Sequence, residues 1–194
     1  MNKSDKERWF RGYLPHFHES GRTQFITWRL ADSLPQELYL EILRRYPEDS
    51  DKPARFKEFE AKLDDGIGSC VLANPSAGRV VCEEILYLYP DTATIHAFVV
   101  MPNHVHLLAT PNAAMALSEM MKKVKGRSSI AVNRALGRKG TLWQQDYLDR
   151  MIRDSEHFEK TAAYIEWNPV KAGLCVEQKE FPFSYYANLL AMQR

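Results

Sequence analysis

Cysteine is scarce in this chain: Cys70, Cys82 and Cys175 are the only three in 194 residues. An odd number with no Cys-x-x-Cys spacing argues against a disulfide scaffold and against a thiolate zinc site, and leaves small buried thiols as the reading. Long hydrophobic runs are missing as well. No apolar stretch reaches the roughly 18 residues of a membrane span, and the polar start from Met1 to Arg11 is no signal peptide. The expectation is a cytoplasmic protein with no membrane contact. Repeats, low-complexity stretches and clear linkers are lacking, so 1–194 reads as one domain, large enough to bury a proper core. Acid is missing locally. Residues 120–145 hold no Asp or Glu but carry Lys122, Lys123, Lys125, Arg127, Arg134, Arg138 and Lys139, whereas 31–65 carries ten acids against six bases. With a net charge of only +1, that separation suggests one face built for a polyanion; the alternative is a solvated helix.

The pattern of what is present is an interleaved α+β one. Thr23 to Leu30 alternates as a strand. Pro35 opens a helix through Leu38, Leu40, Ile42 and Leu43. From Tyr46 to Asp65 the chain is charged and holds Pro47 and Pro53, which predicts broken or local helices. Val80 to Tyr89 reads as a helix closed by Pro90-Asp91. Strands at 93–101 and 104–110 follow, joined by a Pro102-Asn103 turn. Leu117, Met120, Met121 and Val124 recur at helical spacing through about Ala135, and Gly137 and Gly140 end that helix. Thr141 to Ile152 reads as a strand. A last helix, capped by Asp154 or Ser155, runs to about Trp167, with Pro169 as its stop. The tail from 174 reads as irregular packing with a short terminal helix. The fold class expected is α+β, a central antiparallel sheet packed by helices.

Chemistry concentrates at Met101-Pro-Asn-His-Val-His-Leu-Leu. Side chains alternate along a strand, so His104 and His106 share one face, about 6.6 Å apart at Cβ, while Val105 and Leu107 take the other. Two imidazoles at that spacing can lean onto one metal ion. The bland alternative is a polar pair on a solvated sheet face. Tyr164 and Asn168 stand four apart in the last helix and project from one side of it. A tyrosine can attack a phosphodiester once its proton is removed and the phosphate charge is neutralised, and an Asn carbonyl is a hard third ligand beside two imidazoles. Core packing for Tyr164 and a helix stop at Asn168 are the plain alternatives.

Together, Phe98-Val-Val-Met-Pro-Asn-His-Val-His-Leu-Leu, Lys125-Gly-Arg, Gly140-Thr-Leu-Trp-Gln and Tyr164-Ile-Glu-Trp-Asn-Pro-Val-Lys-Ala-Gly resemble the single-tyrosine HUH transposases, in particular the REP-associated tyrosine transposases. The motifs lie in order over about 95–175; the 46–80 region is not part of the resemblance. The resemblance implies a compact ferredoxin-like or RNA-recognition-like fold. It implies cleavage and joining of single-stranded DNA beside hairpins through a 5′-phosphotyrosine link, with a divalent ion (Mg2+ or Mn2+), as a monomer or homodimer. By position it makes Tyr164 the nucleophile and His104, His106 and Asn168 the metal ligands. The basic window at 120–145 would then carry the DNA. No ATP motif is present, and that chemistry needs none.

Rival residues are His16-Phe-His18, a second His-x-His in loop-like surroundings, and Tyr147, beside Asp146 but without a helical Asn partner. Tyr87, Tyr89, Tyr185 and Tyr186 lie outside the motifs. Glu166 points about 200° around the helix from Tyr164. Two other functions use the same residues: a DNA-binding module without chemistry, and a phosphodiesterase in which a metal activates water.

Overall fold

The computed structural model describes residues 7–10, 15–18, 21–46 and 52–192. A short antiparallel pair, β1 (Glu7–Phe10) and β2 (Pro15–His18), stands apart from the main sheet. His16 and His18 therefore fall in a strand and not in the loop expected. The main sheet is built from β3 (Gln24–Arg29), β4 (Ala93–Val100), β5 (His104–Pro111) and β6 (Leu148–Met151). All neighbours are antiparallel, in the order β4-β5-β3-β6. With a helical connection after β3, a hairpin between β4 and β5, and a helix before β6, this is the split βαβ arrangement of ferredoxin-like folds.

The sheet separates two cores by its alternation. Ile26, Trp28, Val105, Leu107 and Ala109 face one side, under α3 (Pro75–Leu86) and α4 (Leu117–Ala135), where Val81, Ile85, Met120, Met121 and Val124 complete the packing. Burial of each large side chain there contributes about 1.5–3 kcal/mol. Phe25, Val99 and Leu108 face the other side, against α5 (Ser155–Lys171) and its Ile165. The same side carries α1 (Gln36–Arg45) and α2 (Lys52–Asp64): Phe56 of α2 meets Phe25 edge-on, with ring centroids 5.4 Å apart. The terminal helix α6 (Tyr185–Met192) follows a backbone bridge from Ser184 to Val99.

Four expectations need correction. From Lys52 the helix is not broken: α2 runs through 13 residues, because Pro53 sits in its first turn, where a missing N–H breaks no helical bond, while Pro47 lies outside the described residues. Helix α3 begins earlier than Val80, with Pro75 in the first turn and the Asn74 side chain accepting from the Ser76 N–H. Only 148–151 of the expected 141–152 strand pairs in the sheet; residues 141–147 form a loop tied to the strand end by Ala31 N–H to Leu142 O and Gln144 N–H to Arg29 O. Finally, α5 does not stop before Pro169 but continues to Lys171. The ladder resumes with Ala172 N–H to Asn168 O and Leu174 N–H to Pro169 O, 2.9 Å each, so Pro169 occupies the last turn and Asn168 stays helical. Asp154 caps the start as expected, accepting from the His157 N–H at 2.7 Å. At the end of α4, Gly137 (φ +61°) takes the left-handed position that a helix stop favours in glycine.

Candidate active site

His104 and His106 emerge from β5 on the α5 side, both fully buried, with Val105 and Leu107 in the opposite core. Their Nε2 atoms face each other 3.1 Å apart, and the surroundings decide what that contact is. Asn103 ends the tight turn closed by Met101 N–H to His104 O. Its Nδ2 donates to the carbonyls of Leu63 (3.0 Å) and Ile67 (3.1 Å), which fixes the amide so that Oδ1 faces His104 Nδ1 at 2.7 Å. An amide oxygen only accepts, so His104 carries its proton on Nδ1 and its Nε2 is bare. On the neighbouring strand, Thr27 lies opposite His106. Its hydroxyl donates toward Glu60 (3.4 Å), leaving its oxygen to accept from His106 Nδ1 at 2.8 Å. His106 Nε2 is bare too. Both rings are neutral. Burial, helped by the Lys171 charge, pulls His104 down to about 3; burial, then His104 and Lys171, hold His106 well below the usual imidazole range.

Two bare nitrogen lone pairs at 3.1 Å repel unless a cation lies against both. Adjacent ligands on a hexacoordinate ion with bonds near 2.0–2.1 Å stand about 3 Å apart, so the imidazole pair fits. Among the described residues no three His, Cys, Asp or Glu side chains already stand close enough to form a ready-made cluster, and beside the histidine pair an amide offers a further donor. Asn168 is completely buried, and neither its Oδ1 nor its Nδ2 has a hydrogen-bond partner. A buried amide left wholly unpaired is costly, and a ligand role for Oδ1 relieves it. These residues fit a divalent ion.

Tyr164 stands one helical turn before Asn168, its ring centroid 5.5 Å from that of His106 and 5.9 Å from that of Phe25. Its buried hydroxyl makes no close hydrogen bond, although the Glu60 and Asn168 side chains stand near enough to act on its proton. Burial, reinforced by the nearby Glu60 carboxylate, pushes its pKa above the usual phenol range. Glu60 in turn is raised to about 8, chiefly by burial, with the Tyr164 hydroxyl acting the other way. Lys171 places its ammonium 5.8 Å from the Tyr164 ring centroid and pairs with Asp64 at 2.9 Å.

The structure thus brings together Tyr164, His104, His106 and Asn168. It separates them from the basic window, because α4 packs on the opposite face of the sheet. Within that window the cations are not equivalent. Lys125 is engaged within the protein: its Nζ donates to the carbonyls of Gln144, Gln145 and Asp146 at 2.8, 2.8 and 3.2 Å. Arg127 pairs with Glu84 at 2.7 Å and lies 3.8 Å over the Tyr87 ring. Both side chains already have partners within the protein. Lys122, Lys123, Arg134 and Lys139 are exposed, Arg138 is half-buried, and Val124 is buried as the amphipathic pattern requires. Lys125-Gly-Arg and Gly140-Thr-Leu-Trp-Gln meet here, around a cleft of about 490 Å3 that also takes in Tyr147. Tyr147 is thereby placed away from the histidines. Sequence reasoning missed Asn103, Thr27, Glu60, Asp64 and Lys171 at the site. For Glu60 and Asp64 the signal existed, since an i,i+4 carboxylate pair marks one helix face.

Comparison with known proteins bears on the family and the fold. Residues 82–168 match the family described as "Transposase IS200 like". That segment carries both histidines, Tyr164 and Asn168, so the resemblance to single-tyrosine transposases is borne out. Two curated relatives make it more particular. The chain is 27% identical over 121 residues to a putative REP-associated tyrosine transposase of Haemophilus influenzae, covering 57% of this chain and 65% of that one. It is 30% identical over 93 residues to the REP-associated tyrosine transposase of Escherichia coli K12, covering 47% and 53%. The matches thus span between half and two thirds of those relatives. A solved REP-associated tyrosine transposase bound to a REP hairpin shares the fold, with a TM-score of 0.55 and 22% identity over 95% of this chain and 86% of that one. No helix among the described residues is long and apolar enough to cross a membrane.

Proposed function

We propose that this protein is a metal-dependent endonuclease and strand transferase for single-stranded DNA at hairpin-flanked sites, with Tyr164 as nucleophile. The observation that carries the reading is the convergence of two bare imidazole nitrogens, 3.1 Å apart, with an unpaired buried amide and an unpaired buried phenol on one helix face. A divalent ion, Mg2+ or Mn2+, held by His104, His106 and Asn168, would supply Lewis-acid neutralisation of the scissile phosphate. The remaining work falls to the chain. Tyr164 Oη bonds to phosphorus, the bond from phosphorus to O3′ breaks, and the leaving oxygen takes a proton to become a 3′-hydroxyl, leaving a 5′-phosphotyrosine. Glu60, in electrostatic contact with the phenol and raised to about 8, is the group placed to take the Tyr164 proton. The covalent link retains the bond energy, so a 3′-hydroxyl can reverse the step without ATP. Exposed Lys122, Lys123, Arg134 and Lys139 hold DNA phosphates across the far side of the protein. Trp167, 51% exposed one turn from Tyr164, offers a face on which an unpaired base stacks.

The test is cleavage of an end-labelled hairpin with single-stranded flanks, with and without Mg2+ or Mn2+. Wild type cleaves only with metal, and Tyr164→Phe binds the DNA but does not cleave. Cleavage by Tyr164→Phe near the wild-type rate would move the chemistry to a metal-activated water.

A further inference from the structure

The site extends beyond the matched segment 82–168, because α2 delivers a carboxylate to it. We propose that Asp64 is a fourth protein ligand, through Oδ1, to the divalent cation held by His104, His106 and Asn168. The inference rests on the metal reading of that site and deepens it.

Asp64 Oδ1 is buried and has no hydrogen-bond partner. It lies 4.0 Å from His104 Nε2. That contact is no ion pair, because Asn103 fixes the His104 proton on Nδ1 and leaves Nε2 a bare lone pair. An anionic oxygen and a nitrogen lone pair aimed at one another are unfavourable in a dry site, unless a cation stands between them. The 4.0 Å gap between the two atoms is about twice a ligand bond of 2.0–2.1 Å, the room one such ion takes.

The carboxylate is held for this use. Its other oxygen, Oδ2, is anchored by Lys171 Nζ at 2.9 Å. The backbone on either side is pinned to the metal-binding turn by the Asn103 Nδ2 bonds to Leu63 O and Ile67 O. Asp64 is also the last residue of α2, where the helix dipole disfavours an anion, so the position demands compensating positive charge. Chemically, two imidazoles and an amide are all neutral donors, whereas a carboxylate gives the site the charge that hard ions such as Mg2+ and Mn2+ require.

Mn2+ binding to the full chain without DNA, followed by calorimetry and by the EPR signal of free Mn2+, separates this proposal from the reading beneath it. Wild type binds one Mn2+, and His104→Ala abolishes binding. Asp64→Asn and Asp64→Ala weaken binding at least tenfold, while Lys160→Ala, on the exposed side of α5, stays within twofold of wild type. The metal-induced rise in Tm, read on the same samples, keeps the comparison valid where metal-free stability differs. Asp64→Asn binding within twofold of wild type overturns the proposal and leaves the three-ligand site standing. Failure of wild type to bind Mn2+ overturns the metal reading itself.

Discussion

Replacing Asn103 by Ala removes three buried hydrogen bonds at once: two donated to the α2 end at 3.0 and 3.1 Å, and one accepted from His104 at 2.7 Å. Each neutral bond contributes about 1 kcal/mol net, and a buried donor left unpaired costs about 1–3 kcal/mol more. Leu63 O keeps the Gly66 N–H at 3.2 Å, whereas His104 Nδ1–H loses the acceptor that fixed its tautomer. The expected loss is about 4–6 kcal/mol, or roughly 8–24 °C in Tm for a domain of this size. Freed of its partner, the His104 ring also loses its orientation, and Mn2+ affinity falls about 10–100-fold, as for other residues that orient metal ligands. Asn103→Asp separates the two effects. It retains an acceptor for His104 Nδ1 but turns an anionic oxygen toward two carbonyls, so stability falls as much while the metal affinity of the folded fraction suffers less. Urea unfolding and Mn2+ calorimetry on the three proteins measure both quantities. An Asn103→Ala protein that melts within 2 °C of wild type and binds Mn2+ equally well would refute the reasoning that the turn organises the site.

Lys125→Met should cost about 2 kcal/mol by freeing the 144–146 carbonyls, yet leave the salt dependence of single-stranded DNA binding unchanged, whereas Lys122→Ala should lower the log–log salt slope by about 0.7 for a lost phosphate contact. Binding isotherms at several salt concentrations decide between them, and equal slope changes would return Lys125 to the DNA. Metal-free protein should lose stability as pH falls below about 6.5. The unfolded His104 then takes up a proton, while the folded one does so only near 3, a difference of about 2 kcal/mol at pH 5. Glu60 runs the other way, because its folded pKa of about 8 lies above the unfolded value; its contribution is full below about 4.5 and fades as pH rises through 8. In pH-resolved urea unfolding, His104→Gln should reduce the first dependence, leaving the part due to the equally buried His106, and keep the second; an unchanged acid slope would show that His104 is not held neutral.

The catalytic strand was legible because its code is local. Alternation alone places His104 and His106 on one face, and four-residue spacing alone places Tyr164 and Asn168 on one side of a helix. The strands at 93–101 and 104–110 and the Leu117–Ala135 helix followed from the same two periods. What was not legible depended on partners distant in sequence. Lys125 reads as one more cation of a basic run; only the fold brings the 144–146 carbonyls around its ammonium. Asn103 reads as a turn residue, and its three bonds exist because α2 ends beside the turn. Pro53 and Pro169 misled for a shared reason. A proline is a helix breaker in an interior, but one stands in a first turn and the other in a last, where few backbone bonds are lost. Reading 46–65 as broken helix hid the Glu60–Asp64 face, and with it the acidic side of the site.

The central claim is that Tyr164 becomes covalently joined to DNA. Incubating the full chain with Mn2+ and a hairpin carrying its single-stranded cleavage site, followed by denaturation, proteolysis and mass spectrometry, tests it directly. The account predicts a denaturation-resistant adduct in which a 5′-phosphorylated DNA end is attached to the peptide containing Tyr164, absent in Tyr164→Phe and absent without metal. DNA cleavage with no adduct, or an adduct on Tyr147 or any other residue, would contradict it.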